Sequence, residues 1–163
     1  MRSTLATITV FMVSSATHVW AQHAGHATGA EASVQHTIEA LFRAVEQKDL
    51  AALDTLYAGD RLTVIEGAGV NRGWTDYRDH HLAPELQDFA DFRYRPADIE
   101  VELHGDLAWA MFRYTLQAKM GERTLDMVGR GTAILERRGD AWVVRHTHTS
   151  SRARRPSDPT GGP

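Results

Sequence analysis

Residues 136–151 read ERRGDAWVVRHTHTSS, a short charged turn followed by a strand-like run. The dipeptide Gly139-Asp140 favours a tight reversal of the chain. The apolar and β-branched residues after it predict a strand from Ala141 to Ser151, and the residues before it predict a partner strand from Thr124 to Arg137. The chain is therefore expected to end in an antiparallel hairpin.

Two more strands are predicted upstream of this hairpin. Residues 92–104 alternate between apolar and polar side chains in their later part, and residues 107–119 follow the turn His104-Gly105-Asp106. Inside the third strand, Gly129 and Gly131 are expected to mark a bulge or a tight bend. Four consecutive long strands predict an antiparallel meander.

The first half of the chain has helical spacing instead. Apolar residues recur every three or four positions behind a Ser33 cap, which predicts an amphipathic helix to about Lys48. Asp49 predicts the cap of a second, shorter helix. A strand is expected from Arg61 to Glu66, and a third helix from Thr75 to at least Leu82, where Pro84 forces a kink or a new start. Helices followed by a meander predict an α+β fold in which a curved antiparallel sheet wraps around N-terminal helices.

The N-terminal segment differs in composition from the rest of the chain. Residues 1–21 combine an early positive charge, a short apolar run and small side chains at Val19 and Ala21, a pattern typical of a secretory signal peptide. Cleavage is expected before Gln22 or, alternatively, after Ala16; an ordinary buried N-terminal helix is the competing interpretation. We therefore expect a periplasmic or secreted protein, which does not contact the membrane once the signal has been removed.

The remaining segments divide the mature chain into three parts. Residues 22–32 are small, polar and Gly-rich, which predicts a flexible leader, and residues 153–163 predict a disordered tail. Residues 33–152 are then the folded domain. This division follows from composition, because neither end offers enough apolar surface to stabilise an ordered structure.

The composition of the 163 residues excludes several functions. A net charge of −3 lacks the basic excess that binding a nucleic acid requires. The absence of cysteine excludes disulfides, zinc thiolate sites and thiol nucleophiles. Nine histidines are the unusual feature, and they direct attention to acid–base chemistry or metal binding.

The element order carries a family resemblance, supported by the helix segment GWTDYRDHH and the strand AWVVRHTHTSS. Together they resemble the SnoaL-like branch of the nuclear transport factor 2-like superfamily. The last hairpin also resembles that of the association domain of calcium/calmodulin-dependent kinase II, through Trp142, His146, His148 and Ser150. The resemblance implies a cone-shaped, cystatin-like fold with a pocket between sheet and helices, and usually a homodimer formed through the sheet.

The pair His146 and His148 is the first candidate site. Side chains two apart in a strand share a face and lie about 6.5 to 7 Å apart, so both rings should point the same way as Trp142 and Val144. Because these two neighbours are apolar, that face is expected to be covered, either by the pocket or by a dimer interface. The pair could act in catalysis, with His148 or His146 as the base, or chelate a divalent metal.

Further metal donors are sparse. His80, His81 and Glu85 are the only other cluster in the fold with suitable atoms, and His81 is the candidate third ligand for the strand pair. In the leader, His23 and His26 beside a new N-terminal amine predict a possible copper site. The competing interpretation is that the rings are hydrogen-bonding wall residues and that no cofactor is required.

A pocket ligand would be bound mainly by arginine and aromatic side chains. Arg113 and Arg130 lie in strand sequence among apolar residues, where a guanidinium needs a carboxylate or a bound anion. A small anionic or aromatic molecule is therefore expected; solvated arginines paired with a strand carboxylate are the alternative. The predicted ligand-binding residues are Tyr57, Trp74, Tyr77, His81, Trp109, Arg113, Met127, Arg130, His146 and His148.

Four functions remain open at this point. The first is a small-molecule-binding domain, and the second an isomerase or dehydratase with a histidine general base. The third is a periplasmic copper or metal-binding protein, and the fourth a noncatalytic association module. Asp98 and Asp126 are the acids set in apolar strand sequence, but neither matches a catalytic position of the family. Substrate identity does not follow from these residues.

Overall fold

The protein is an α+β domain whose computed structural model describes residues 28–158. Its curved, open sheet has six strands in the order β2-β1-β6-β5-β4-β3. Neighbouring strands are antiparallel except β1 and β6, which run in the same direction, so the sheet is mixed rather than wholly antiparallel. The strands are β1 Thr63–Glu66, β2 Gly69–Arg72, β3 Phe89–His104, β4 Leu107–Met120, β5 Arg123–Arg138 and β6 Ala141–Ala153.

Four α-helices cover one face of this sheet or lie at its edge: α1 Gly29–Glu46, α2 Leu50–Leu56, α3 Trp74–Tyr77 and α4 Ala83–Asp88. The first begins earlier than the predicted Ser33 cap, because Thr28 and Glu31 form a reciprocal capping box. Residues 29–32, expected in the flexible leader, are thereby helical. The Asp49 cap of α2 is confirmed, since its carboxylate accepts from the amide of Ala52 at 2.9 Å.

The core lies between α1 and the inner face of the sheet. The apolar stripe of α1 that the spacing predicted is buried, at Val34, Ile38, Leu41, Phe42 and Val45. It faces small and branched side chains of the strands, among them Ala110, Ala133, Leu135 and Val144. Burying a side chain such as Ile38 contributes about 1.5–3 kcal/mol, so this contact fixes the helix against the sheet.

The two glycines of β5 make room for aromatic rings rather than forming a bulge. The pairing of β4 with β5 runs through Gly129 and Gly131 without a register shift. A Cβ atom at Gly129 would lie 2.2 Å from the ring of Tyr114, and one at Gly131 would lie 2.5 Å from the ring of Phe112. Both rings therefore lie against bare backbone on the inner face of the sheet.

A bulge occurs instead in β6, at Arg145. Leu135 pairs with Val144, but the preceding residue Ile134 pairs with His146, so Arg145 is the extra residue on its strand. The alternation of faces shifts by one at this point. As a result, Val144 and Thr147 both lie on the inner face and are buried.

The predicted disordered tail is ordered in its first part. Asp158 forms two hydrogen bonds of 2.7 Å with the guanidinium of Arg152 and accepts from the amide of Arg155 at 2.6 Å. The amide of Arg154 donates to the carbonyl of Asp126 at 2.9 Å. These contacts extend the ordered chain beyond residue 152 to residue 158.

The predicted signal peptide at residues 1–21, most of the leader with His23 and His26, and residues 159–163 lie outside the described residues. Within residues 28–158, none of the helices combines the length and apolar character needed to cross a membrane.

Candidate functional site

A cavity of about 480 Å³ lies between the helices and the inner face of the sheet. Its walls are mostly apolar and aromatic, and its polar groups come from β1, the α3–α4 segment and β6. This volume falls in the range of small-molecule pockets. Four of the predicted ligand-binding residues line it: Tyr57, Tyr77, His81 and Met127.

Trp74 lies behind this wall rather than in it. Its ring stacks on that of Tyr57 with centroids 4.8 Å apart, and its indole N–H donates to Asp54. Trp74 therefore supports Tyr57, which contacts the cavity, and is itself buried in the core.

His146 and His148 lie on the outer face of the sheet, and the expectation that they share a face with Val144 is wrong. The cause is the bulge at Arg145, which places Thr147 and Thr149 in the cavity wall and turns the intervening histidines away from it. His146 is partly buried there and His148 is exposed. A catalytic role for the pair inside the cavity is not compatible with this placement.

Trp109, Arg113 and Arg130 lie on the same outer face. Trp109 pairs with Ile134, and Arg113 pairs with Arg130. Along both strands these residues alternate with the ones whose side chains face the cavity. Arg113 forms an ion pair of 2.5 Å with Asp98, and Asp126 forms one of 2.9 Å with Arg154. Arg113 and the two strand acids are thus engaged in ion pairs, and Arg130 is exposed on the outer face, which leaves an anionic ligand without its expected partners.

The polar end of the cavity is built on a widened helical turn. Between α3 and α4, residues Arg78–Leu82 form a π turn, in which the amide of Ala83 donates to the carbonyl of Arg78. Pro84 explains it, because proline cannot donate to the carbonyl of His80 and its ring would clash there in a regular helix. The chain continues as one helical segment and directs His81 into the cavity.

The ring of His81 is oriented by Asn71 and Asp76. Hydrogen bonds from Asn71, the amide of Arg72 and His80 lower the pKa of the Asp76 carboxyl, and burial offsets them only in part. Ionised Asp76 accepts from Nδ2 of Asn71 at 3.0 Å, so the amide oxygen of Asn71 must face Nδ1 of His81, at 2.9 Å. His81 therefore carries a proton on Nδ1.

The orientation of the His81 ring also determines how its second nitrogen contacts Glu66. Nε2 of His81 lies 3.0 Å from Oε2 of Glu66, and the hydroxyl of Tyr77 donates to Oε1 of Glu66 at 3.1 Å. With Nδ1 already protonated, a hydrogen bond between Nε2 and Oε2 requires one further proton, on either atom. Nε2 of His81 and Oε2 of Glu66 thus form a contact along which a proton can pass at the cavity wall.

Glu85 is the third ionisable group of the site. Its carboxylate lies 4.0 Å from Nε2 of His81, and its side chain is half-exposed, which places it at the mouth. Burial and, secondly, the charge of Glu66 raise the pKa of Glu85. Burial also raises the pKa of Tyr77 well above that of a free phenol, so its hydroxyl stays a hydrogen-bond donor.

Glu66, His81 and Glu85 also form the one triad of metal-type donors within residues 28–158, with donor atoms no more than 4.8 Å apart. The 3.0 Å contact between His81 and Glu66 is a hydrogen-bond distance, and it fits a shared proton. His146 and His148 gain no third donor from the same part of the chain. Metal binding by that pair stays a prediction.

Sequence reasoning missed Glu66, Asn71 and Asp76 as functional groups, and it named Glu85 only as a metal donor beside His80 and His81. One signal was present, because Tyr77, His81 and Glu85 are spaced by four residues and so share a face of a helical segment. Glu66 ends a strand and Asn71 lies in a short hairpin, and only the fold brings them to that helix face.

Comparison with known proteins agrees with this architecture. A family profile for the SnoaL-like domain matches residues 34–154, whereas no curated protein matches the chain. A protein of Shewanella frigidimarina provisionally named a ketosteroid isomerase is 20% identical, with a TM-score of 0.66 over 75% of this chain and 98% of that one. A protein of Streptomyces avermitilis provisionally named a dehydratase of the nuclear transport factor 2-like family is 17% identical, with a TM-score of 0.67 over 76% and 96% of the two chains. At these identities the likeness is one of fold.

Proposed function

The chain belongs to the SnoaL-like domain family, and from that premise we propose that it is an acid–base enzyme of the isomerase or lyase type. It binds a small molecule in the cavity, and His81 with Glu66 transfers a proton to or from that molecule. The fold relatives include proteins named for ketosteroid isomerisation and for dehydration, both of which are proton-transfer reactions.

The observation that carries this proposal is the 3.0 Å contact between Nε2 of His81 and Oε2 of Glu66. The pair borders a cavity whose walls are mostly apolar, and its two side chains are only 29% and 31% exposed. Tyr77 donates to Oε1 of Glu66, and the amide oxygen of Asn71 accepts from Nδ1 of His81. Neither of these positioning contacts uses Nε2 of His81 or Oε2 of Glu66, the two reacting atoms. Positioned side chains of this kind contribute about 10²–10⁴-fold to a reaction rate.

The open cavity also helps to choose among the remaining candidate functions. An association module needs no internal space, whereas about 480 Å³ between sheet and helices supports ligand binding. The ionisable groups gathered at one end of that space favour catalysis over passive storage of a ligand.

Isotope exchange tests the proposed activity. Small carbonyl compounds, with and without an amino group, are incubated with the protein in D₂O, and mass spectrometry measures deuterium uptake or loss of water. We expect at least one compound to react, and His81→Gln to slow the reaction by about 100-fold or more. His146→Gln, on the opposite face, is the matched control and should react at the wild-type rate. Equal rates in His81→Gln and wild type would contradict the proposal.

We also propose that two copies associate through the outer face of the sheet. Met111 and Ile134 are apolar there and remain 39% and 38% exposed in the single chain. Trp109, His146 and His148 belong to the same face by their pairing register. Covering such an apolar patch is favourable, and a homodimer formed through the sheet is also what the family resemblance implies.

Export from the cytoplasm is part of the same proposal. Its support is the signal-peptide pattern of residues 1–21, with small side chains at Val19 and Ala21 before Gln22. The mature enzyme would then act in the periplasm or outside the cell.

A further inference from the structure

The charge of the cavity defines the kind of molecule it accepts. Glu66 and Glu85 are the carboxylates of its lining, and within residues 28–158 that lining contains neither lysine nor arginine. The arginines predicted to clamp an anion, Arg113 and Arg130, lie on the other face of the sheet. An anion placed in the cavity would therefore find two carboxylates and no fixed cation.

One of the two carboxylates is left without a close partner. Nε2 of His81 lies within hydrogen-bond distance of Oε2 of Glu66, so the one imidazole of the site is engaged with that carboxylate. Glu85 is the group left over, with its carboxylate 4.0 Å from Nε2 of His81 and half-exposed at the mouth. A carboxylate that faces an apolar cavity is stabilised by a cation brought by the ligand.

The rest of the wall suits the body of such a ligand. Aromatic rings surround the space, and Tyr94 stacks near Phe92 with centroids 6.0 Å apart and lies edge-on to Tyr114 at 5.4 Å. Ring faces attract cations and pack well against apolar groups. The apolar wall residues beyond these rings include Leu86, Phe89, Leu116 and Met127.

We infer that the ligand of this cavity is a compact apolar molecule with one protonated amine, whose ammonium group pairs with Glu85 at the mouth. Its apolar body lies among the aromatic rings, beside the His81–Glu66 pair. This inference rests on the proposed acid–base function in one respect, because it places the ligand in the same cavity. It thereby names the substrate class of that function. It excludes carboxylates and phosphates as substrates.

Three ligands of the same shape test the inference: 2-phenylethylamine, 2-phenylethanol and phenylacetate. Dissociation constants are measured by NMR titration of the isotope-labelled protein at neutral pH and low salt. We expect the amine to bind about tenfold more tightly than the alcohol, and phenylacetate to bind more weakly than both. Glu85→Gln should bring the amine to within about threefold of the alcohol while leaving the affinity for the alcohol unchanged.

Glu102→Gln is the matched control, because Glu102 is an exposed carboxylate of β3 outside the cavity wall. It should keep the wild-type preference for the amine. Equal affinities for amine and alcohol, tighter binding of phenylacetate, or no binding of any of the three would overturn the inference. The two proposals fail separately: an amine preference in a protein without exchange activity overturns the acid–base function alone, and exchange activity with no amine preference overturns the substrate class alone.

Discussion

His146 is the residue whose position differs most from expectation, and its surroundings give it a measurable effect on stability. Burial in the outer face and the nearby ring of His148 lower the pKa of His146, although a hydrogen bond with the backbone at Thr63 acts in the opposite direction. The folded protein therefore resists protonation of this ring more than the unfolded chain does.

The sign of the pH effect follows. Below about pH 6.5, where an unperturbed histidine takes up its proton, the unfolded chain binds more protons than the folded protein at this site. The contribution of His146 to stability is thus present above that pH and is lost as the pH falls. We expect the urea midpoint of the wild type to drop more between pH 7.5 and pH 5.5 than that of His146→Gln. His36→Gln, at an exposed position of α1, should retain the wild-type slope, and an unchanged slope in His146→Gln would refute the assignment.

Part of the site could be predicted residue by residue, and the rest could not. Tyr57, Tyr77, His81 and Met127 were predicted and line the cavity. The first three lie in or beside the helices of the first half, whereas Met127 lies on the inner face of β5. Glu66 escaped notice because a carboxylate at a strand end is usually solvated. Its role depends on β1 lying beside β6, a contact between residues far apart in sequence.

At the scale of elements, two irregularities decide which side chains reach the cavity. The π turn at Arg78–Leu82 directs His81 inward, and the bulge at Arg145 directs His146 and His148 outward. Pro84 signalled the first irregularity in the sequence. Nothing comparable marks the second, because Arg145 sits in an unbroken run of strand-forming residues. A strict period of two therefore assigned the last strand correctly only as far as Val144.

The glycines of β5 give a prediction at the same scale. A Cβ at residue 131 would lie 2.5 Å from the ring of Phe112 and 3.1 Å from Cγ2 of Thr149. Gly131→Ala should therefore reduce the free energy of unfolding by about 1–3 kcal/mol, measured by urea denaturation. In a Phe112→Leu background the same substitution should cost less, since the clashing ring is gone. Strictly additive costs would show that Phe112 is not the cause.

For the whole molecule, the α+β fold is confirmed, and the predicted helices and strands follow in the expected order, except that strand β2 at Gly69–Arg72 was not predicted. Apolar periodicity is a local signal, so it placed α1 and the four long strands well. It could not show that β1 runs parallel to β6, because strand pairing depends on the packing of distant segments.

Association and export are properties of the whole molecule, and one experiment addresses both. Native mass spectrometry of protein recovered from the periplasm of an expressing cell should give a dimer of chains that begin at Gln22. Met111→Lys should yield monomers, because it places a charge in the apolar outer face. His36→Lys adds the same charge on the helical side and should stay dimeric. A monomeric wild type would contradict the interface, and chains that begin at Met1 would contradict the signal peptide.

The bulge at Arg145 has a practical meaning for protein engineering. Beyond it, odd-numbered residues of β6, Thr147, Thr149 and Ser151, border the cavity, whereas His146 and His148 belong to the outer face. A mutagenesis library that varies the three odd positions would change ligand selectivity and leave the outer face intact, and one that varies His146 and His148 would do the reverse. Deleting the single residue Arg145 would remove the bulge but leave His146 opposite Ile134 and Thr147 opposite Ala133, so specificity and assembly can be designed on the same strand without disturbing each other.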